Sequence, residues 1–182
     1  MAVMSSSAIV VLVPEAEHLV DALRARHDPA AALGVPAHVT VLFPFVSPVN
    51  DDTIRRVAEI ASRHAPFATT FGAVERFPGL VVWLRPEPSE PFSALIDGFV
   101  AEFPDWPPYG GAVAEPIPHL TVADGVDADT AAALEAELES GLPLTTRVTE
   151  LTLLVGDDAQ RWRLARTWPL GGTGAQRRSS RH

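Results

Sequence analysis

His38-Val39-Thr40-Val41 and His119-Leu120-Thr121-Val122 carry one pattern twice: a histidine, an apolar residue, a threonine and a second apolar residue. Proline leads into each copy, as Pro36 and Pro118. Side chains alternate between the faces of a β-strand, so His and Thr at i and i+2 share one face while their apolar neighbours enter a core. Two such strands bordering one cleft gather two imidazoles and two hydroxyls. The remaining internal histidines lack the pattern, since Val20, Pro29 and Pro66 stand two places beyond His18, His27 and His64. A strand histidine packed at the edge of a core accounts for one copy, but not for two copies with matched lead-ins.

The composition narrows the classes. A chain of 182 residues with 47% hydrophobic and 20% charged residues suits a soluble globular protein. It has no cysteine, which excludes disulfides, thiolate nucleophiles and Cys-ligated metals. Met1 to Glu17 holds one short apolar run and no basic lead-in, so a cytoplasmic protein without signal peptide or membrane span is expected. Lysine is absent, and the net charge is −9. Gripping a long nucleic acid by its backbone calls for a basic surface, so no extended nucleic-acid binding is expected. Metal-binding spacings and a glycine-rich triphosphate loop are both missing, so no metal and no cofactor is implied.

Apolar periodicity and turn residues predict an alternating order of elements. Ala8 to Val13 reads as a buried strand, Glu15 to Leu33 as a helix broken at Pro29, and His38 to Phe43 as the first motif strand. A helix from Asp51 to before Pro66 follows, then strands over 68–76 and 80–85 joined at Pro78-Gly79, and a helix from Phe92 to Phe103. A loop rich in Pro and Gly leads to the second motif strand, His119 to Ala123. A helix over 127–142 and strands over 145–155 and 161–168 end the fold. The motifs lie 81 residues apart, and each is followed by a helix and a strand pair. That repeat predicts an α+β domain over 1–170, built of two pseudo-symmetric lobes. Each lobe has an antiparallel sheet, the site lies between them, and residues 171–182 form a disordered tail. One chain then supplies both half-sites, so a monomer is expected.

At this point the paired His-x-Thr-apolar segments resemble the two-histidine (2H) phosphoesterase superfamily, which includes bacterial RNA 2′,3′-cyclic phosphodiesterases often named 2′-5′ RNA ligases. The stretches from Pro36 to Phe45 and from Pro118 to Ala123 carry the likeness, together with the element order. The resemblance implies hydrolysis of a 2′,3′-cyclic phosphate, on an RNA terminus, an oligonucleotide or a small nucleotide, by two-histidine acid–base chemistry. It implies His38 as the acid, His119 as the base, and Thr40 and Thr121 as phosphate-binding donors. Many RNA-acting members place a basic residue soon after the second motif, where this chain has Ala123-Asp124.

Tyr109, in the loop before the second motif, is a candidate to touch base or phosphate. Phe43 is a candidate wall for a base, alongside Phe45, and Arg161 is a candidate contact on the last strand beside Trp162 and Arg163. Trp83 and Trp168 read as core. Two other readings compete with hydrolysis: a non-catalytic module that binds nucleotide or phosphate on the same scaffold, and 2′-5′ RNA ligation.

Overall fold

The computed structural model describes residues 6–172. Most of the C-terminal tail lies outside the described residues. The elements run β1 (Ser7–Leu12), α1 (Glu17–His27), α2 (Pro29–Ala32), β2 (His38–Leu42), α3 (Asp51–Arg63), β3 (Phe67–Phe77), β4 (Val81–Glu87) and α4 (Glu90–Glu102). They continue with β5 (Leu120–Ala123), α5 (Ala128–Glu139), β6 (Leu144–Val148), β7 (Glu150–Gly156) and β8 (Trp162–Pro169). Short 3₁₀ turns at Pro14–Ala16 and Pro108–Gly111 precede α1 and β5.

The starts of the helices follow from their caps. Asn50 accepts the Thr53 amide at 2.9 Å ahead of α3, and Asp127 accepts the Thr130 amide at 2.7 Å ahead of α5. Asp51 and Asp52 add acidic charge to the first turn of α3, where the helix dipole favours it. The expected helix over 15–33 is three pieces. Pro14 opens a 3₁₀ turn, and Asp28 leaves helical geometry to cap α2, accepting the Ala30 amide at 3.0 Å. Pro29, which supplies no amide, is the first residue of α2.

All eight strands join one curled antiparallel sheet in the order β6-β3-β4-β5-β2-β1-β7-β8. The two motif strands lie at its centre, each the inner strand of a four-stranded half. The strand expected over 145–155 is two strands. It breaks at Thr149, with β6 pairing to β3 at one edge and β7 pairing to β1 in the opposite half. Because one residue separates them, the sheet curls until those regions meet. The expected repeat is corrected likewise, because the β3–β4 pair that follows the first motif belongs to the half holding the second.

The units β1-α1-β2 and β4-α4-β5 are the equivalent ones. Their helices cross over, α1 packing on β5 and α4 on β2, so each braces the other half's motif strand. Val39, Val41, Leu120 and Val122 are buried in the main core on that helical face. On the opposite face Ala8, Val10, Val35 and Leu154 form a smaller cluster beneath the first motif. Trp168 is buried as expected.

Arg24 on α1 is 1% exposed and bonds Asp28 Oδ2 through Nε at 3.0 Å and Nη2 at 2.8 Å. The pair ties α1 to the cap of α2. Arg24→Met keeps the apolar stem but leaves the Asp28 carboxylate buried without its partner. Denaturant unfolding should show a loss of about 3–5 kcal/mol, because removing one member of a buried pair strands the other charge.

Candidate functional site

The central seam places the histidines. Strands β2 and β5 are antiparallel, with Val39 opposite Leu120. Extending that register by one residue each way sets His38 opposite Thr121 and Thr40 opposite His119. Residues directly opposite on one face bring their Cβ atoms to about 4.5–5.5 Å. Each histidine therefore stands across the seam from the threonine of the other motif. All four side chains are half-buried, while the residues between them are core.

The two histidines are also held alike. His38 Nδ1 lies 2.8 Å from the Pro36 carbonyl oxygen, and His119 Nδ1 lies 2.6 Å from that of Ile117. A carbonyl only accepts, so Nδ1–H donates in both cases and Nε2 is left for chemistry. The lead-in prolines thus belong to turns that fix both rings and tautomers. Burial pushes the His38 pKa down to about 4; the Pro36 bond and Asp28 oppose it, and the charges of Arg24 and of a protonated His119 add to it. His119 is lowered as well, by burial against the bond to Ile117. Both rings are consequently neutral bases at pH 7 in the empty cleft.

Aromatic groups flank each half-site. His119 stands edge-on to Phe77, with centroids 4.9 Å apart, and to Trp83 at 5.8 Å, while Phe77 and Trp83 stack at 4.6 Å. Trp83, expected in the core, is indeed buried but also backs His119, and its Nε1 donor has no partner. Beside the first motif, Phe43 lies edge-on to Trp162 at 6.0 Å. Those two rings, with His38, Thr40, Val10, Leu154 and Gln160, line a cavity of about 280 Å³. A second cavity of about 520 Å³ is lined by His119, Thr121, Phe77, Tyr109, Ile117, Glu115 and Asp124 among others.

Tyr109 links the half-sites. Its backbone N–H donates to the Phe43 carbonyl at 2.6 Å, and its hydroxyl hydrogen-bonds Thr40. Burial raises the Tyr109 pKa, with the Thr40 bond opposing it, so the phenol keeps its proton at neutral pH. Tyr109 takes φ 53°, ψ 34°, a left-handed conformation uncommon outside glycine, followed by Gly110 and Gly111 at positive φ.

The other sequence candidates divide. Phe43 is 36% exposed and lines the smaller cavity, whereas Phe45 is buried against Phe99 and Phe103. Arg161 is exposed in the turn before β8, its amide tied to Asp157 Oδ1 at 2.9 Å. Its neighbours Gln160 and Trp162 line the cavity instead. Glu115, Ile117 and Phe77 were not candidates, and only their closeness to the second motif in sequence or register could have singled them out.

Residues 12–160 match the family profile described as the 2′-5′ RNA ligase superfamily. Escherichia coli LigT, solved with 3′-AMP, is similar in structure at a TM-score of 0.60 and 19% identity, covering 92% of this chain and 98% of that one. The protein TT0787 of Thermus thermophilus is similar at 0.55 and 16%, covering 92% and 99%. No curated protein matches by sequence. Among the described residues, no helix is long and apolar enough to cross a membrane.

The depressed His38 pKa has a consequence for stability. An unfolded chain protonates this imidazole near pH 6.5, the folded protein near 4. Between those values the unfolded state binds more protons, so His38 destabilises the fold as pH falls through that window. The shift corresponds to roughly 3 kcal/mol. Chemical denaturation from pH 7.5 to 4 should show that loss, and His38→Gln should reduce the slope.

Proposed function

Since the chain belongs to the 2′-5′ RNA ligase superfamily, we propose that it is a phosphodiesterase that hydrolyses a 2′,3′-cyclic phosphate to a phosphomonoester. The observation that carries this reading is the paired seam, whose register sets both histidines and both threonines on one face of adjacent strands, with each Nδ1 held by a carbonyl. The solved complex of LigT with 3′-AMP, a nucleoside phosphomonoester, supports it by analogy of fold.

Water attacks phosphorus in line with the departing ribose oxygen, so base and acid stand on opposite sides of the phosphate. A neutral Nε2 on one side takes the water proton. A protonated Nε2 on the other gives a proton to the leaving oxygen, yielding one hydroxyl and one monoester. The anionic phosphate offsets the burial that keeps both rings neutral, and so allows one of them to hold a proton in the complex. Thr40 and Thr121 donate to the non-bridging oxygens, where charge is shared in the transition state. Tyr109, whose hydroxyl is bonded to Thr40, holds that threonine in place beside the phosphate.

Burial disfavours a proton on His38 strongly enough to bring its pKa to about 4. This suits His38 as the base and His119 as the acid, the reverse of the assignment implied by resemblance. A leaving group of low pKa needs no acid, and it separates the roles. On 2′,3′-cyclic AMP in EDTA, His38→Ala and His119→Ala should each lose about 10²–10⁴-fold in kcat. On a 4-nitrophenyl phosphodiester, His119→Ala should recover most of its loss and His38→Ala should not. Recovery by His38→Ala alone would restore the opposite assignment, and near-full turnover of the cyclic nucleotide by either variant would sink the mechanism.

A further inference from the structure

The two cavities beside the seam differ in charge. Among the described residues the smaller is lined by apolar side chains with His38, Thr40 and Gln160, without a carboxylate or guanidinium. The larger carries two carboxylates, Glu115 and Asp124. Among the described residues neither cavity is lined by arginine, and the sequence has no lysine. Arg24, Arg76 and Arg85 are each held by an acidic partner: Asp28, Glu135 and Glu75. Among the described residues, a phosphate at the seam thus meets two imidazoles and two threonine hydroxyls but no arginine of either cavity lining. Any further phosphate on the His119 side meets two negative groups.

The backbone of Asp124 is fixed there by the fold, and its exposed side chain borders the cavity. Its amide donates to the His27 carbonyl at 2.9 Å, pinning the end of β5 to the end of α1. Glu115 stands two residues before Ile117, whose carbonyl holds the His119 ring. Both carboxylates are therefore attached to the segment that positions the acid.

Resting on the reading above, we infer that the larger cavity takes the nucleoside part of the substrate and that Glu115 and Asp124 are specificity determinants. They accept hydrogen bonds from ribose hydroxyl or base amino groups and reject a substituent bearing a second phosphate. At about 520 Å³ the cavity is the roomier of the two. Its Phe77 and Ile117 supply apolar surface for a base. The preferred substrate is then a cyclic phosphate whose only charge is the reacting diester, with a free 5′-hydroxyl. A 5′-phosphorylated terminus is disfavoured by like-charge repulsion, which is long-ranged at low salt and screened at high salt.

The test compares 2′,3′-cyclic AMP bearing a 5′-hydroxyl with the same nucleotide bearing a 5′-phosphate. It uses the wild type and Glu115→Gln/Asp124→Asn, at about 10 mM and about 150 mM ionic strength. Binding of adenosine 3′-monophosphate and adenosine 3′,5′-bisphosphate is measured in parallel by calorimetry. Repulsion from two carboxylates should give a preference of about tenfold in kcat/KM for the 5′-hydroxyl at low salt. That preference should shrink with salt and fall to about twofold in the double variant, with the same trend in binding. Equal treatment of the two nucleotides by wild type, an unchanged ratio in the double variant, or binding of neither adenosine phosphate overturns the inference. If neither cyclic nucleotide turns over but binding follows the predicted trend, the specificity assignment stands and the hydrolytic reading falls.

Discussion

One strand pairing holds the site together. β2 and β5 meet at the middle of the sheet through the register that sets Val39 opposite Leu120, and the functional groups stand on the residues to either side. A slip of one residue would turn each histidine into the core and each core valine or leucine into the cleft. The apolar faces of both strands oppose such a slip, because Val39 and Leu120 are fully buried beneath α1 and α4. The crossing of those helices matters for the same reason. Each packs against the strand of the opposite half, so the two half-sites cannot separate without opening one shared core.

The sequence revealed the centre of this arrangement better than its edges. The His-x-Thr alternation is a local signal with period two, and it survives into the structure at all four positions. The break within residues 145–155 carried no such signal. Thr149 is neither glycine nor proline, and no turn residue marks the boundary; only the curl of the sheet sends the strands on either side of it to opposite halves. The aromatic backing of His119 was hidden for a related reason. Phe77 and Trp83 meet through the β3–β4 register, which the sequence does not state. At the last turn, Gln160 adopts φ 60°, and the lining falls to Gln160 and Trp162 rather than to Arg161 between them.

Burial explains both the chemistry and its cost. The lead-in carbonyls of Pro36 and Ile117 fix the tautomers, and the apolar surroundings keep the rings neutral in the empty cleft. In the proposed reaction an anionic ester supplies the charge that lets one ring hold a proton, so the acid is armed when substrate binds. In the proposed reaction the same low polarity strengthens hydrogen bonds from the threonines to the phosphate. It also makes His38 a destabilising element below neutral pH, a cost tolerated because the neutral ring is the reactive one.

The most direct test of the paired seam is a crystal structure with a nucleoside vanadate, whose five-coordinate vanadium resembles a phosphate under in-line attack. The account predicts vanadium between the two rings. The axial oxygens should lie within hydrogen-bond distance of His38 Nε2 and His119 Nε2, and the equatorial oxygens should accept from Thr40 and Thr121. Vanadate bound elsewhere, or both axial oxygens on the side of one histidine, would contradict it.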